Sequence, residues 1–328
     1  MKESISPGMI FNGVLNGDLS KNIARDQLLL LLEGSDNPKI RTESIETINK
    51  LKIRDPRIFK VLENSLLSDE NSFVRNSAAK LICKLYLTKG LSSLIWTLQH
   101  EKSPLVLKTI GEYSNHLKNR NYTELKQEID KILLIISNIV GVIQQEAKFI
   151  LDLEAIFAQK KDQYELELKS YQLFKNLMDH KLKEFWLTIR NSHIETLSYN
   201  YFSWNFIKEN PKKFNSISKL NDPNIFFDHL RNLHHDDHMH IILPNSLNSL
   251  SCLKKLNLRH NYIRLLPESL FELESLQVLD LSHNQIKKIP ISIIKLKNLD
   301  SFKVHDNIIS YFSNPVKLYL DTLKTFKF

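Results

Sequence analysis

The densest group of side chains capable of chemistry lies at residues 234–240, where four histidines and two aspartates fall within seven positions. Along an extended chain, alternate residues point to the same side, which would bring together His234, Asp236, His238 and His240. Imidazole and carboxylate groups in such a set are ligands for zinc and similar ions. Because the chain has no HExxH and no CxxC pattern, we predict no metal and no cofactor. A metal-binding or enzymatic role of this segment remains the alternative.

Elsewhere the chain lacks the residue patterns that catalysis requires. His260 and His283 lie 23 residues apart, each directly before an asparagine, which indicates a repeat rather than a catalytic pair. The chain has 7 glycines and none after Gly141. The glycine-rich loops that cradle phosphates in nucleotide enzymes therefore have no counterpart, and no GxSxG nucleophile motif occurs. We predict that the protein is not an enzyme.

A 23-residue period organises the C-terminal third of the chain. Strings of the form LxxLxLxxN, or a close variant, begin at Leu253, Leu276 and Leu299, and Pro267 and Pro290 hold equal places one period apart. In such a string the leucines alternate with polar residues, so parallel stacking of the strands buries the leucines in one continuous core. The pattern resembles leucine-rich repeats of the 23-residue, Ras-group-like intracellular class.

This resemblance implies a short α/β leucine-rich-repeat solenoid with parallel strands over residues 230–328. A degenerate first repeat would begin at Leu230, and the segment from Pro315 onward would form the C-terminal cap. Polar residues on and after the strands would line the concave face of the solenoid and bind a partner there. The predicted partner-binding residues are Lys255, Asn257, Arg259, His260, Asp280, Ser282, His283, Lys303, His305 and Asp306.

A weaker repeat runs through residues 1–158. Stretches that begin at Asn37, Asn71 and Ser103 share apolar positions at helical spacing, and each follows another apolar helical stretch. Two helices in every 32–36 residues, with arginines at the equivalent positions 41 and 75, resemble HEAT repeats. We expect an α-α solenoid in which these arginines contact the neighbouring repeat. A fourth copy would run from Val142 to Leu153.

Residues 159–229 match neither repeat. Apolar residues recur there at helical spacing and aromatic residues are frequent, with Pro211 and Pro223 as interruptions. We predict an aromatic-rich helical connector that includes the N-terminal cap of the leucine-rich repeats. The aromatic side chains would cover the open ends of the two solenoids.

The charge distribution indicates a protein partner. The net charge is +8, but the excess is spread thinly along the chain and comes mostly from lysine. Nucleic-acid binders usually concentrate basic residues in one patch, so we expect no nucleic-acid partner and keep binding by the HEAT-like solenoid as an alternative. The predicted function is a non-catalytic protein–protein interaction scaffold or adaptor. Similarity to the Ras-group class would imply small GTPases or their regulators as partners.

The cysteine count and hydropathy favour a cytoplasmic location. The two cysteines, Cys83 and Cys252, are far apart in the sequence, which is typical of a reducing compartment. Apolar stretches such as 28–32 and 132–143 are too short or too interrupted for a bilayer span of about 20 residues. We therefore expect no association with a membrane.

Overall fold

The computed structural model describes residues 5–115, 117, 122–160, 187–198, 243–259, 261 and 263–328. The described residues fall into two compact units, one up to Ile132 and one from Leu133 onward. The first unit is helical, and the second combines helices with a six-stranded sheet.

Short helices joined by tight turns build the first unit. Helix α8 begins in this unit and ends in the second. The helices are α1 (Pro7–Asn16), α2 (Lys21–Gly34), α3 (Pro38–Lys50), α4 (Pro56–Ser68), α5 (Ser72–Leu85), α6 (Leu91–His100), α7 (Pro104–Asn115) and α8 (Thr123–Val140).

Side-chain caps define where the repeated helices start. The side chains of Asn37, Asp55 and Asn71 each accept a hydrogen bond from the backbone N–H two residues further on, at the first turns of α3, α4 and α5. Prolines 38 and 56 occupy the first helical position, where a missing N–H costs nothing. Apolar residues of the repeated helices then form a single core.

Arginines join successive helix pairs, as the sequence predicts. Arg41 on α3 donates two hydrogen bonds to Asp69, which follows α4, each 2.8 Å long. Arg75 on α5 makes the equivalent pair with Glu101, which follows α6, at 2.8 and 3.0 Å. The contacts expected of these two arginines are thus confirmed.

The last long helix, α9 (Gln144–Lys160), belongs to the second unit. The hydroxyl of Ser246 donates to Asp152 at 2.5 Å, and the N–H of Ile194 donates to Glu146 at 2.8 Å. These buried contacts hold α9 within the second unit, together with the leucine-rich repeats. The helix expected to form a fourth N-terminal repeat packs beside the leucine-rich repeats instead.

The sheet contains six strands in chain order. The strands are β1 (Leu187–Arg190), β2 (His193–Ser198), β3 (Lys255–Asn257), β4 (Val278–Asp280), β5 (Ser301–Lys303) and β6 (Thr325–Lys327). The first two strands form an antiparallel hairpin, and every later neighbour pairs in parallel.

The hairpin corrects the prediction of a helical connector at residues 187–198. Asn191 and Ser192 form its turn with φ of 50° and 62°, the backbone that two-residue hairpin turns favour. The strands on either side carry β-branched residues such as Ile189 and Ile194, which suit a sheet better than a helix. Strand β2 then pairs along the edge of β3.

Strand β3 has β2 on one edge and β4 on the other. Leu230, where the degenerate first repeat was predicted to begin, lies outside the described residues. The histidine-rich segment, with His234, Asp236, His238 and His240, lies outside the described residues.

The predicted leucine-rich-repeat strands form, and their apolar residues fill the core of the second unit. Leu256, Leu279 and Phe302 lie in register in the middle of β3, β4 and β5, and each is at most 1% exposed. Behind the sheet, short 3₁₀ helices follow the repeated prolines. They span Asn245–Ser249, Glu268–Glu272 and Ile291–Lys295.

The C-terminal segment continues the sheet. Helix α10 (Asn314–Leu320) stands in place of the 3₁₀ helix of the earlier repeats, and β6 pairs with β5. The ring of Phe326 stacks on Phe302 at a centroid distance of 6.0 Å and meets Phe312 edge-on. These aromatic contacts cover the last full repeat, as expected of a cap.

Candidate interaction surface

The strand face is the outward side of β3, β4 and β5 together with the residues directly after each strand. The first and third residues of each strand point outward, while the middle residue is buried. Because the three strands are in register, the outward residues form two rows across the sheet. The rows are Lys255, Val278 and Ser301, and Asn257, Asp280 and Lys303.

Charges of both signs alternate on this face. The ammonium of Lys303 lies 3.6 Å from Asp280, whose side chain is 13% exposed. Asp280 also accepts hydrogen bonds from the backbone N–H and hydroxyl of Ser282, at 3.0 and 2.5 Å. Lys255 is exposed at the other end of the strands. The mixture suits a partner with its own pattern of charges rather than a uniform polyanion.

Asparagine side chains hold the turns that follow the strands. The Asn284 amide N–H group donates to the carbonyls of Leu258 and Leu281, both at 2.9 Å. Its carbonyl accepts from the backbone N–H groups of Asn261 and Ile263, at 3.0 and 2.9 Å. A single buried amide therefore ties two successive repeats together.

Asn307 repeats this arrangement one period later. It donates to the carbonyls of Leu281 and Val304 and accepts from the N–H of Ile286. These bonds show that the repeated asparagines satisfy backbone groups at the turns. They also fix the backbone of the residues just before them, His283 and Asp306.

Two histidines and an aspartate meet at the end of the strand face; we call His283, His305 and Asp306 the histidine–aspartate cluster. The Nδ1 atoms of His305 and His283 lie 2.7 and 3.3 Å from the same Asp306 oxygen, Oδ2. The two rings meet edge-on, with centroids 5.1 Å apart. Arg259 donates from Nη2 to Nε2 of His283 at 3.1 Å.

The electrostatics of the cluster favour an ionised carboxylate. The hydrogen bond from His305 lowers the pKa of Asp306, and the positive charge of Arg259 lowers it further. Asp306 is therefore negative at neutral pH, with cationic and hydrogen-bonding groups on two sides.

The structure brings several of the predicted site residues together and separates others. Arg259 and the histidine–aspartate cluster are contiguous, as are Asp280 and Lys303. Ser282 is fully buried, so its side chain does not line an exposed surface as expected. His260 lies outside the described residues.

Two strands that were not predicted, β2 and β6, continue the strand face on either side. Thr196 on β2 and Thr325 on β6 are in register with the row that contains Lys255, and Ser198 and Lys327 extend the other row. The β6 residues were detectable, because Thr325-Phe326-Lys327 repeats the pattern of Ser301-Phe302-Lys303. No repeated pattern marked β2.

The sulfur chemistry of Cys83 is suppressed. Its side chain is buried in the helical core, and burial raises the pKa of the thiol to about 12. The thiolate is the nucleophilic form, so Cys83 is a small core residue at neutral pH.

Within the part of the chain that the structure describes, no single helix is both long and apolar enough to cross a membrane. The pair Thr123–Val140 and Gln144–Leu153 meets those two criteria together, with a bend of 89° between its members.

Comparison with protein families identifies a leucine-rich repeat in this chain. The family model for "Leucine-rich repeat region" matches residues 213–318. A solved structure of a leucine-rich repeat protein from Leptospira interrogans is 30% identical over 26% of this chain, with a TM-score of 0.23. The aligned part spans 22% of that protein. No curated protein matches the chain. The C-terminal part of the chain is a leucine-rich repeat region, preceded by a helical region.

Proposed function

We propose that this protein is a non-catalytic interaction scaffold or adaptor whose strand face binds a protein partner. Leucine-rich repeat regions are generally protein-interaction modules. The observation that carries the proposal is the strand face, on which charged groups of both signs stand on a sheet tied by Asn284 and Asn307. Groups held in place before binding lose little freedom when a partner docks, which favours affinity.

The N-terminal helices would supply a second surface, and we propose that they form HEAT-like repeats. Three features support this. Helices occur in pairs, and asparagine side chains cap the N-termini of α3 and α5. Arg41 and Arg75 make equivalent ion pairs one repeat apart. Repeats of this kind expose extended surfaces for partners.

We also propose a class for the leucine-rich repeats and for the partner. The 23-residue spacing of Leu253, Leu276 and Leu299 supports the Ras-group-like class. By analogy with that class, a small GTPase or one of its regulators is the first partner to test, in the cytoplasm.

Charge reversal on the strand face tests the binding proposal. Wild-type protein and the variant Lys255→Glu/Arg259→Glu/Lys303→Glu are tagged and used to capture proteins from native lysate. The control Lys287→Glu/Lys288→Glu/Lys297→Glu changes the same charge at exposed positions away from the strand face.

We expect a protein that is retained by the wild type and the control and lost by the strand-face variant. Circular dichroism must show equal folding of all three proteins. Retention by all three, or loss by both variants, would contradict binding through the strand face.

A further inference from the structure

The histidine–aspartate cluster has the composition of a metal site. His283, His305 and Asp306 each offer one ligand atom, and these three atoms all lie within 4.8 Å of one another. Two imidazoles and one carboxylate form a mixed nitrogen and oxygen set of the kind that zinc and similar transition-metal ions bind.

The distances from Asp306 to the two histidines are close to those that a bound ion would require. Zinc bonds to nitrogen and oxygen are about 2.0–2.2 Å long, so neighbouring ligand atoms in a tetrahedral site are separated by about 3.3–3.6 Å. Nδ1 of His283 already lies 3.3 Å from Oδ2 of Asp306. Nδ1 of His305 lies 2.7 Å from the same oxygen and needs to move apart by less than an ångström.

The backbone beneath the cluster is held in place before any ion binds. His283 and Asp306 occupy the same position in successive repeats, and both have left-handed backbones, with φ of 54° and 55°. The N–H of His283 donates to the carbonyl of His305 at 2.9 Å. Asn284 and Asn307 fix the next residue in each turn. A rigid frame of this kind is what a built site needs.

We propose that His283, His305 and Asp306 bind a divalent transition-metal ion of the Zn²⁺ type. The ligands are Nδ1 of each histidine and a carboxylate oxygen of Asp306. These side chains are between 30% and 60% exposed, so the remaining coordination positions face solvent. This site is separate from the histidine-rich segment at 234–240, and it does not depend on the proposed binding of a protein partner.

Arg259 should weaken metal binding at this cluster, and its substitution therefore tests the proposal. Its guanidinium can only donate, so Nε2 of His283 accepts and the ring proton lies on Nδ1, toward Asp306. When an ion binds Nδ1 of His283, the ring proton must lie on Nε2 instead. There it faces the N–H of Arg259, and two N–H donors cannot form a hydrogen bond. Metal binding therefore displaces Arg259, which also carries a like charge. Removal of this side chain strengthens binding.

The experiment is isothermal titration of full-length protein with Zn²⁺ alone. All proteins carry alanine in place of His234, His235, His238 and His240, so that this segment contributes no signal. The ligand variants are His283→Asn, His305→Ala and Asp306→Asn. Asparagine tolerates the left-handed backbone at 283 and 306, which preserves the turns. His100→Ala removes an exposed histidine of the first unit as the matched control.

The background protein is the one that carries only the four alanine substitutions at residues 234, 235, 238 and 240. We expect it to bind one equivalent of Zn²⁺. Each ligand variant should weaken binding at least tenfold, His100→Ala should leave it unchanged, and Arg259→Ala should tighten it severalfold. Absence of saturable binding to the background protein would overturn the proposal. Equal affinity of the ligand variants, or weaker binding by Arg259→Ala, would overturn it as well.

Discussion

Arg75 on α5 donates two hydrogen bonds to Glu101, a carboxylate only 4% exposed at the end of the next helix. The same carboxylate accepts from the backbone N–H groups of Lys102 and Ser103, where α7 is about to begin. The pair thus joins one helix pair to the next and orders the turn between them.

Removal of Arg75 should strongly destabilise the helical unit. Arg75→Ala leaves the buried Glu101 charge without its guanidinium, a loss of about 3 kcal/mol in the free energy of unfolding. Urea denaturation followed by helical circular dichroism measures it. Arg57, which is 57% exposed and also pairs with carboxylates, provides the control, and Arg57→Ala should have a far smaller effect. Equal effects of the two substitutions would contradict this account.

Asn284 should be the most sensitive polar residue of the leucine-rich repeats. Asn284→Ala leaves two carbonyls and two N–H groups without their buried partner, which costs about 3 kcal/mol. Asn298, whose exposed amide donates to the carbonyl of Glu274, serves for comparison, and Asn298→Ala should cost less than about 1 kcal/mol. Thermal or urea unfolding of the two variants compares these losses. A small effect at Asn284 would argue against the tie between repeats.

Glu146 should make stability fall as pH rises. Burial raises the pKa of this carboxyl above its ordinary 4.5, while the N–H of Ile194 and the ring of His193 partly offset the shift. The folded state therefore holds its proton more tightly than the unfolded state, and stability decreases as pH increases from 4.5 through the folded pKa. Glu146→Gln keeps an acceptor for Ile194 and loses this dependence.

Unfolding of wild type and Glu146→Gln between pH 4 and pH 8 measures the effect. The stability of the variant relative to the wild type should improve as pH rises across this interval. A constant difference, or one of opposite sign, would show that the carboxyl is not desolvated as described.

The two cysteines should differ in reactivity. Cys83 is buried with a thiol pKa of about 12, whereas Cys252 is partly exposed. In native protein at neutral pH, a thiol-specific reagent should modify Cys252 and leave Cys83 intact, because the thiolate is the reactive form. Unfolding in urea should release the second thiol. Rapid modification of Cys83 in the folded protein, located by peptide mass spectrometry, would refute its burial.

Residues that recur in equivalent environments were predictable from the sequence. Leu256, Leu279 and Phe302 stand one period apart, so each supports the assignment of the others. The asparagines that close the turns recur with the same period. The arginine pairs were anticipated because positions 41 and 75 align, although their carboxylate partners carry no repeated pattern.

Features that do not follow from the 23-residue repeat were not predicted. Strand β2 ends at Ser198 and pairs with β3, which begins only at Lys255, and no local pattern marks such a distant partner. The histidine–aspartate cluster depends on left-handed backbones at His283 and Asp306, which bring the side chains of successive repeats together. These residues were predicted to share one face, but their contact was not predicted.

The central claim is that the strand face binds a protein partner, and a titration with purified components tests it most directly. The partner captured by wild-type protein is titrated with wild type, the strand-face variant Lys255→Glu/Arg259→Glu/Lys303→Glu and the control Lys287→Glu/Lys288→Glu/Lys297→Glu. The account predicts at least tenfold weaker binding for the strand-face variant and wild-type affinity for the control. Equal affinities of the strand-face variant and the wild type would contradict it.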